Sequence, residues 1–282
     1  MSSVEALLRL PPGPVDLRAI ETNDQSGFEG EKEDGEEALH ELGPELADLQ
    51  ERLWAERTTG SNRSVLLVLQ GLDTAGKGGV LRVTVGLVDP EGVKITSFKA
   101  PTEEERKHDF LWRIRPALPD PGFIGVFDRS HYEDVLIAKV RELAPPEEIE
   151  RRYGAINEFE QEVSAAGVRI VKCMLHISPE EQKERLQARL DDPTKHWKYN
   201  PGDLDERSRW PAYREAYEAV LERTNTDHAP WYVIPSDKKW YRNLAVGRLL
   251  CDTLRAMHPQ WPKADFDVAA ERRRLTGETP IE

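Results

Sequence analysis

The sequence predicts an α/β fold: three layers built on a five-stranded parallel sheet. Three observations lead to it. Short, near-continuous apolar runs alternate with helical patterns, as strands buried on both faces do. The first such run, Val65 to Leu69, leads directly into Gly71-x-x-x-x-Gly76-Lys77, and a helical pattern follows from Val80. A later run, Phe123 to Phe127, ends in an aspartate, Asp128.

In chain order, residues 1–60 read as an acidic N-terminal extension. It opens with Pro11, Pro12, Gly13 and Pro14, continues through the acidic run 29–37, and then shows Leu42, Leu46, Leu49 and Leu53 at helical spacing. The leucines predict one amphipathic helix packed on the main body. The acidic run reads as a solvated, mobile face. The main domain covers 61–260, with strands expected at 65–70, 93–98, 123–127, 168–177 and 231–234. Ser178-Pro179-Glu180-Glu181 marks a helix start, with an N-cap serine, a first-turn proline and a capping-box glutamate. Between Leu190 and Trp210 periodicity stops among turn formers and charges, so 190–210 is the expected closing lid. Trp210, Tyr213, Tyr217 and Leu221 then recur at helical spacing and read as core packing. Residues 261–282 form a C-terminal tail.

Composition narrows the class. At 282 residues, 32% of them charged and 38% hydrophobic, the chain suits a large globular domain, and no apolar stretch approaches the ~20 residues of a membrane span. Met-Ser-Ser-Val-Glu lacks the basic flank and apolar core of a signal peptide. Cys173 and Cys251 form no CxxC and read as buried thiols. A cytoplasmic location, with no membrane or nucleic-acid partner, is expected. The net charge is −13, but residues 1–58 hold fifteen Asp/Glu against five Lys/Arg, a balance of −10. The remaining chain is left near neutral, free to build basic ground for an anionic ligand.

The chemistry concentrates in two motifs. Strand, glycine-rich loop and helix form a P-loop: Thr74, Ala75, Gly76, Lys77, Gly78 and Gly79 wrap a phosphate in backbone N–H groups, and Lys77 supplies a point charge. Ser or Thr normally follows the lysine and ligates Mg²⁺, but Gly78 stands here. The loop also carries a carboxylate, Asp73. Either Asp73 takes over part of the metal binding, or it caps the loop by accepting backbone N–H bonds. Asp128 fits the second metal-binding element of P-loop enzymes. If its strand lies beside the first, Asp73 and Asp128 converge on one Mg²⁺, and Arg129 stabilises a phosphoryl group in transfer. The plainer alternative is a surface Asp–Arg pair ending a strand. His131 follows Ser130 without a GxSxG elbow and reads as a structural polar contact. Arg82, one turn into the P-loop helix, is a further phosphate-binding candidate, and Lys99, Arg113, Arg189, Lys195, Lys198 and Arg207 recur at the same predicted edge.

Six segments carry a resemblance: Gly-Leu-Asp-Thr-Ala-Gly-Lys-Gly-Gly (71–79), Phe-Lys-Ala-Pro-Thr (98–102), His-Asp-Phe-Leu-Trp-Arg (108–113), Phe-Asp-Arg-Ser-His-Tyr-Glu-Asp-Val (127–135), Trp-Lys-Tyr-Asn-Pro-Gly-Asp (197–203) and Ala-Pro-Trp-Tyr-Val-Ile-Pro (229–235). In order, across roughly 60–257, they resemble the polyphosphate kinase 2 family. The resemblance implies a P-loop kinase fold with a helical lid. It implies Mg²⁺-dependent phosphoryl transfer between inorganic polyphosphate and a nucleotide, AMP or ADP, with the choice between adenine and guanine left open. Asp73 and Asp128 would hold Mg²⁺, Lys77 and the loop amides would grip phosphate, Arg129 would steady the transferred group, and the basic lid residues would track polyphosphate. Ser-His-Tyr-Glu-Asp resembles the subclass accepting both AMP and ADP, and relatives are commonly homo-oligomers. Two other readings share the motifs: an ATP-dependent nucleoside monophosphate kinase, and a non-catalytic nucleotide- or polyphosphate-binding protein. Gly78 argues against the first and the paired aspartates against the second.

Overall fold

The computed structural model describes residues 4–277. Five parallel strands run in the order β2-β3-β1-β4-β5: β1 Ser64–Gln70, β2 Val93–Ser97, β3 Ile124–Asp128, β4 Val168–His176 and β5 Trp231–Pro235. All five expected strands are present, each end within one residue of its expected position. The central strand is buried throughout, and its alternating side chains divide the core. Leu66 and Val68 face one apolar layer, while Val65, Leu67 and Leu69 face the other. Each such burial contributes about 1.5–3 kcal/mol, which accounts for the legibility of β1 in the sequence.

Helices close both faces. The first layer holds α5 (Pro146–Ala165) and α8 (Trp210–Arg223); the second holds α2 (Lys32–Glu56), α3 (Lys77–Val83) and α9 (Lys239–Met257). A short α1 (Val4–Leu8), α4 (Ile137–Val140), α6 (Pro179–Asp191), α7 (Gly202–Ser208) and α10 (Val268–Thr276) complete the chain. As expected, Ser178 caps α6 by accepting from the Glu181 N–H at 3.1 Å. Cys173 and Cys251 are free and buried.

The N-terminal extension packs against the body. Leu46 and Leu53 of α2 are fully buried, and α2 lies along α9. The side chains of the acidic run face solvent as expected, while from Lys32 the chain forms the first turns of α2. There Asp34 accepts the Glu31 N–H at 2.8 Å, and acidic side chains suit the positive helix end. Further upstream, Arg9 bridges Tyr232 in antiparallel fashion and the Leu10 N–H donates to Trp231 O, so the segment after α1 lies along the outer edge of β5.

The lid segment is helical. Residues 193–198 form a 3₁₀ turn whose N-cap Asp192 accepts from the Thr194 N–H, and α7 follows. Neither piece buries a residue, so the periodic signal of burial is missing from the sequence. Among the described residues no helix is long and apolar enough to cross a membrane.

Candidate functional site

The strand order reverses at β1: the chain visits β2 and β3 on one side before crossing to β4 on the other. Ligands of such sheets bind beyond the carboxyl ends of strands at this point. The loop after β1 and the turn after β3 meet there, because Leu69 is in register with Asp128 and the Arg129 N–H donates to Leu69 O at 3.1 Å.

The loop after β1 is held in a shape few residues adopt. Gly76 has φ +112°, and Thr74, with φ +66°, also lies in the left-handed region. A Cβ on Gly76 would fall 1.8 Å from an Arg242 guanidinium nitrogen, so glycine is required on two counts. Arg242 donates to Ala75 O at 3.1 Å, and Arg185 donates to Thr74 O at 2.8 Å and Ala75 O at 3.2 Å. Two buried guanidinium groups thus brace the loop from behind. Burial, with the neighbouring Arg185 charge, pushes Arg242 down to about 9. Neither arginine belongs to the loop motif.

Lys77 opens α3 and folds back to donate to Gly71 O at 2.7 Å. Burial, reinforced by Arg129, pulls it below the usual lysine range against the attraction of Asp73, Asp128 and Glu133. Gly78 is exposed with open space where a Cβ would stand, so no steric reason excludes Ser or Thr there. Asp73 accepts from Arg129 Nη2 at 2.8 Å, and Gln182 donates to the Asp73 carbonyl at 3.0 Å. Asp128 accepts from Ser97 Oγ at 3.4 Å.

A cleft of about 590 Å³ opens over this loop. Thr74, Gly76, Lys77, Gly78, Gly79, Arg82, Lys99, Asp73, Asp128, Arg129, Arg189 and Lys198 line it, together with Trp197, which is 80% exposed. Six cations there face two carboxylates. Lys195 lies in a contiguous basic extension with Arg82, Arg189 and Lys198, and also pairs with Asp192. Three predicted residues stand elsewhere. Ala75 is fully buried, its N–H bonded to Leu72 O. Arg113 is nearly buried, donating to Lys99 O at 2.8 Å and pairing with Asp134 at 3.3 Å. Arg207 donates to Pro179 O and Gln182 Oε1 on the wall of a second cleft.

That second cleft, about 230 Å³, is lined by Asp73, Arg129, Glu133, Arg141, Asp203, Glu206 and Arg207 with the aromatic rings of Trp210, Tyr213 and Tyr217. The three rings therefore serve in the wall of a pocket as well as in the packing read from their spacing. Burial raises Glu133 above the usual carboxylate range despite Arg129 and Lys77. Asp73 and Arg129 line both clefts.

The donor set suits a hard divalent cation. Asp73 and Asp128 present carboxylate oxygens at one sheet edge, and no group of three or more metal-binding side chains exists among the described residues. Mg²⁺ is commonly held in that way, by one or two carboxylates with substrate phosphates and waters completing its shell.

A doubly wound parallel sheet with a glycine-rich loop at its switch point and an aspartate closing the neighbouring strand is an architecture suited to a kinase-type phosphotransferase. The family model of polyphosphate kinase 2 matches residues 29–262, and the chain belongs to that family. It is 45% identical over 255 residues to an AMP/ADP-polyphosphate phosphotransferase of Meiothermus ruber, covering 90% of this chain and 94% of the relative. It is 41% identical over 274 residues to an ADP-polyphosphate phosphotransferase of Rhodopseudomonas palustris, covering 93% and 92%. The crystal structure of polyphosphate kinase 2 from Arthrobacter aurescens TC1 superposes with a TM-score of 0.96 at 51% identity, over 98% of both chains.

Proposed function

We propose that this protein transfers a phosphoryl group between inorganic polyphosphate and AMP or ADP, with Mg²⁺ as its metal. The observation carrying the reading is that Asp73 and Arg129 line both clefts, one strongly basic and one walled by aromatic rings. A polyanion suits the first, where cations outnumber carboxylates; a nucleotide suits the second, whose rings offer apolar faces to a base. The reacting phosphoryl group then lies at their junction.

Most of the barrier reduction comes from positioning and charge neutralisation, as phosphoryl transfer requires little covalent help. Lys77 and the loop amides hold the donor phosphates, while Arg82, Lys99, Arg189, Lys195 and Lys198 hold the rest of the chain. Arg129 neutralises charge on the group in transfer. Asp73 and Asp128 would hold Mg²⁺, which when bound offsets phosphate charge. Closure of the lid over 190–210 would exclude water. Acceptance of both AMP and ADP, use of guanine acceptors, a homo-oligomeric state and a cytoplasmic location belong to the same reading.

A coupled luminescence assay for ATP tests it, with purified protein, Mg²⁺, polyphosphate and either ADP or AMP. ATP from both acceptors is expected. ATP from ADP alone would remove the broad-acceptor claim. Silence with both, followed by ADP formation from ATP plus AMP without polyphosphate, would move the assignment to a nucleoside monophosphate kinase.

A further inference from the structure

Directly beneath the turn carrying Asp128 and Arg129 lies a charged pair sealed from solvent. Lys172, in the middle of β4, is 0% exposed, and Glu160 of α5 is 1% exposed. The ammonium uses all three donors: Glu160 Oε2 at 2.6 Å, Tyr132 Oη at 2.9 Å and Thr224 O at 2.7 Å. Glu160 Oε1 in turn accepts from Tyr132 Oη at 2.7 Å and lies 3.3 Å from His131 Nε2. Burial opposes the carboxylate charge, but Lys172 and His131 outweigh it and hold Glu160 below the usual carboxylate range.

The pair grips the catalytic turn from one end. Tyr132 and His131 follow Asp128-Arg129-Ser130 directly, and Arg129 sits at φ +64°, a conformation that persists only where the surroundings over-determine it. From the other end, Ser130 Oγ accepts from the Tyr132 N–H at 3.2 Å and from Gln70 Nε2 at 3.0 Å. Gln70 is the last residue of β1, immediately before the phosphate loop. A buried ion pair is weak support for stability, since well-packed apolar residues of similar volume often serve as well or better. What it supplies is direction: its bonds have fixed lengths and angles that apolar packing lacks.

We infer that the Lys172–Glu160 pair is a positioning device for phosphoryl transfer, setting the Asp128–Arg129 turn against the phosphate loop through Tyr132, His131, Ser130 and Gln70. The inference rests on the reading of Asp128 and Arg129 as residues of the reaction centre.

The test compares steady-state kinetics with polyphosphate and ADP, alongside thermal melts, for the full-length wild type and three variants. These are Glu160→Gln/Lys172→Met, which replaces the pair by neutral groups of similar shape, Tyr132→Phe, which removes one hydroxyl, and Asp128→Asn as reference. The paired variant is expected to melt cooperatively, with kcat lowered at least about 10-fold and KM for both substrates within about twofold of wild type. Tyr132→Phe is expected to lower kcat by about threefold or more with the same split. A folded paired variant with wild-type kcat, or with raised KM alone, would overturn the inference. If the paired variant does not fold, Tyr132→Phe decides, and wild-type kcat there overturns it. Full activity in Asp128→Asn would remove the underlying reading, and the inference with it, which is a different result from an intact reference and an indifferent pair.

Discussion

Arg129 Nη2 lies 2.8 Å from Asp73 Oδ1, joining the turn after β3 to the glycine-rich loop after β1. Two residues 56 positions apart in sequence are thus partners at the meeting point of both clefts. On the proposed function, an incoming phosphoryl group would compete with Asp73 for this guanidinium. Arg129→Ala should lower kcat on the order of 10²–10³-fold, and Arg129→Lys, which keeps the charge and loses the fork, should fall between. Activity of Arg129→Ala close to wild type in the coupled assay would end its assignment to the transferred group.

Asp128→Asn keeps the shape of the strand end and removes its charge. It should fold normally and lose on the order of 10²-fold or more in rate. A circular-dichroism melt alongside the assay separates chemistry from folding, and near-normal turnover would remove the metal role.

The glycines of the loop should respond unequally. Gly76→Ala puts a Cβ into the Arg242 guanidinium at a positive φ, so loss of both stability and activity is expected. Gly78→Ser meets open space and should fold like wild type. Differential scanning fluorimetry checks the pair, and equal losses would mean that Arg242 does not constrain the loop.

Lys198 lines the basic cleft from the lid. Lys198→Ala should raise KM for polyphosphate several-fold and leave that for ADP nearly unchanged. Near 1 M salt, where the Debye length is ~3 Å, the difference should shrink. An equal rise in both KM values would place Lys198 outside the polyphosphate path.

Stability at low pH should depend on Glu148, which accepts from Arg151 and Arg152 and is held by them at about 2, against 4.5 for the free group. A depressed pKa contributes stability that is present above the unfolded value and lost as pH falls through the folded one. Glu148→Gln should therefore melt below wild type at neutral pH, with the gap closing between pH 4.5 and about 2. The pair is partly exposed, so the gap should be small and weaker in salt. A gap that widens with acid would contradict the sign.

The sheet was legible because β1, β3, β4 and β5 are largely buried on both faces, and the ends of β1 and β3 lead into Gly71 and Asp128; only the edge strand β2 is partly exposed. The segment 190–210 stood out by its loss of period, but the helices within it did not, since they bury nothing. Arg185 and Arg242 escaped for another reason: the loop carbonyls they hold, at residues 74 and 75, lie more than a hundred positions away, and no local motif announces such a brace. The double role of Tyr213 and Tyr217 was hidden because helical spacing states which side chains turn inward, not whether a cleft ends there. Arg113 was grouped with the other basic residues of the edge, and in the fold it is tied to Asp134 and the Lys99 carbonyl, outside the cleft lining.

The strap formed by Arg9 and Leu10 also decides how copies of this protein can meet. With Arg9 bridging Tyr232 and Leu10 bonded to Trp231, the chain's own beginning occupies the free margin of β5 and shields it from a foreign strand. The opposite margin, β2, is five residues long and carries Lys94. Ribbon-like growth of the sheet from molecule to molecule is therefore blocked on one side and discouraged on the other, which leaves helical surfaces as the ground on which an assembly would form.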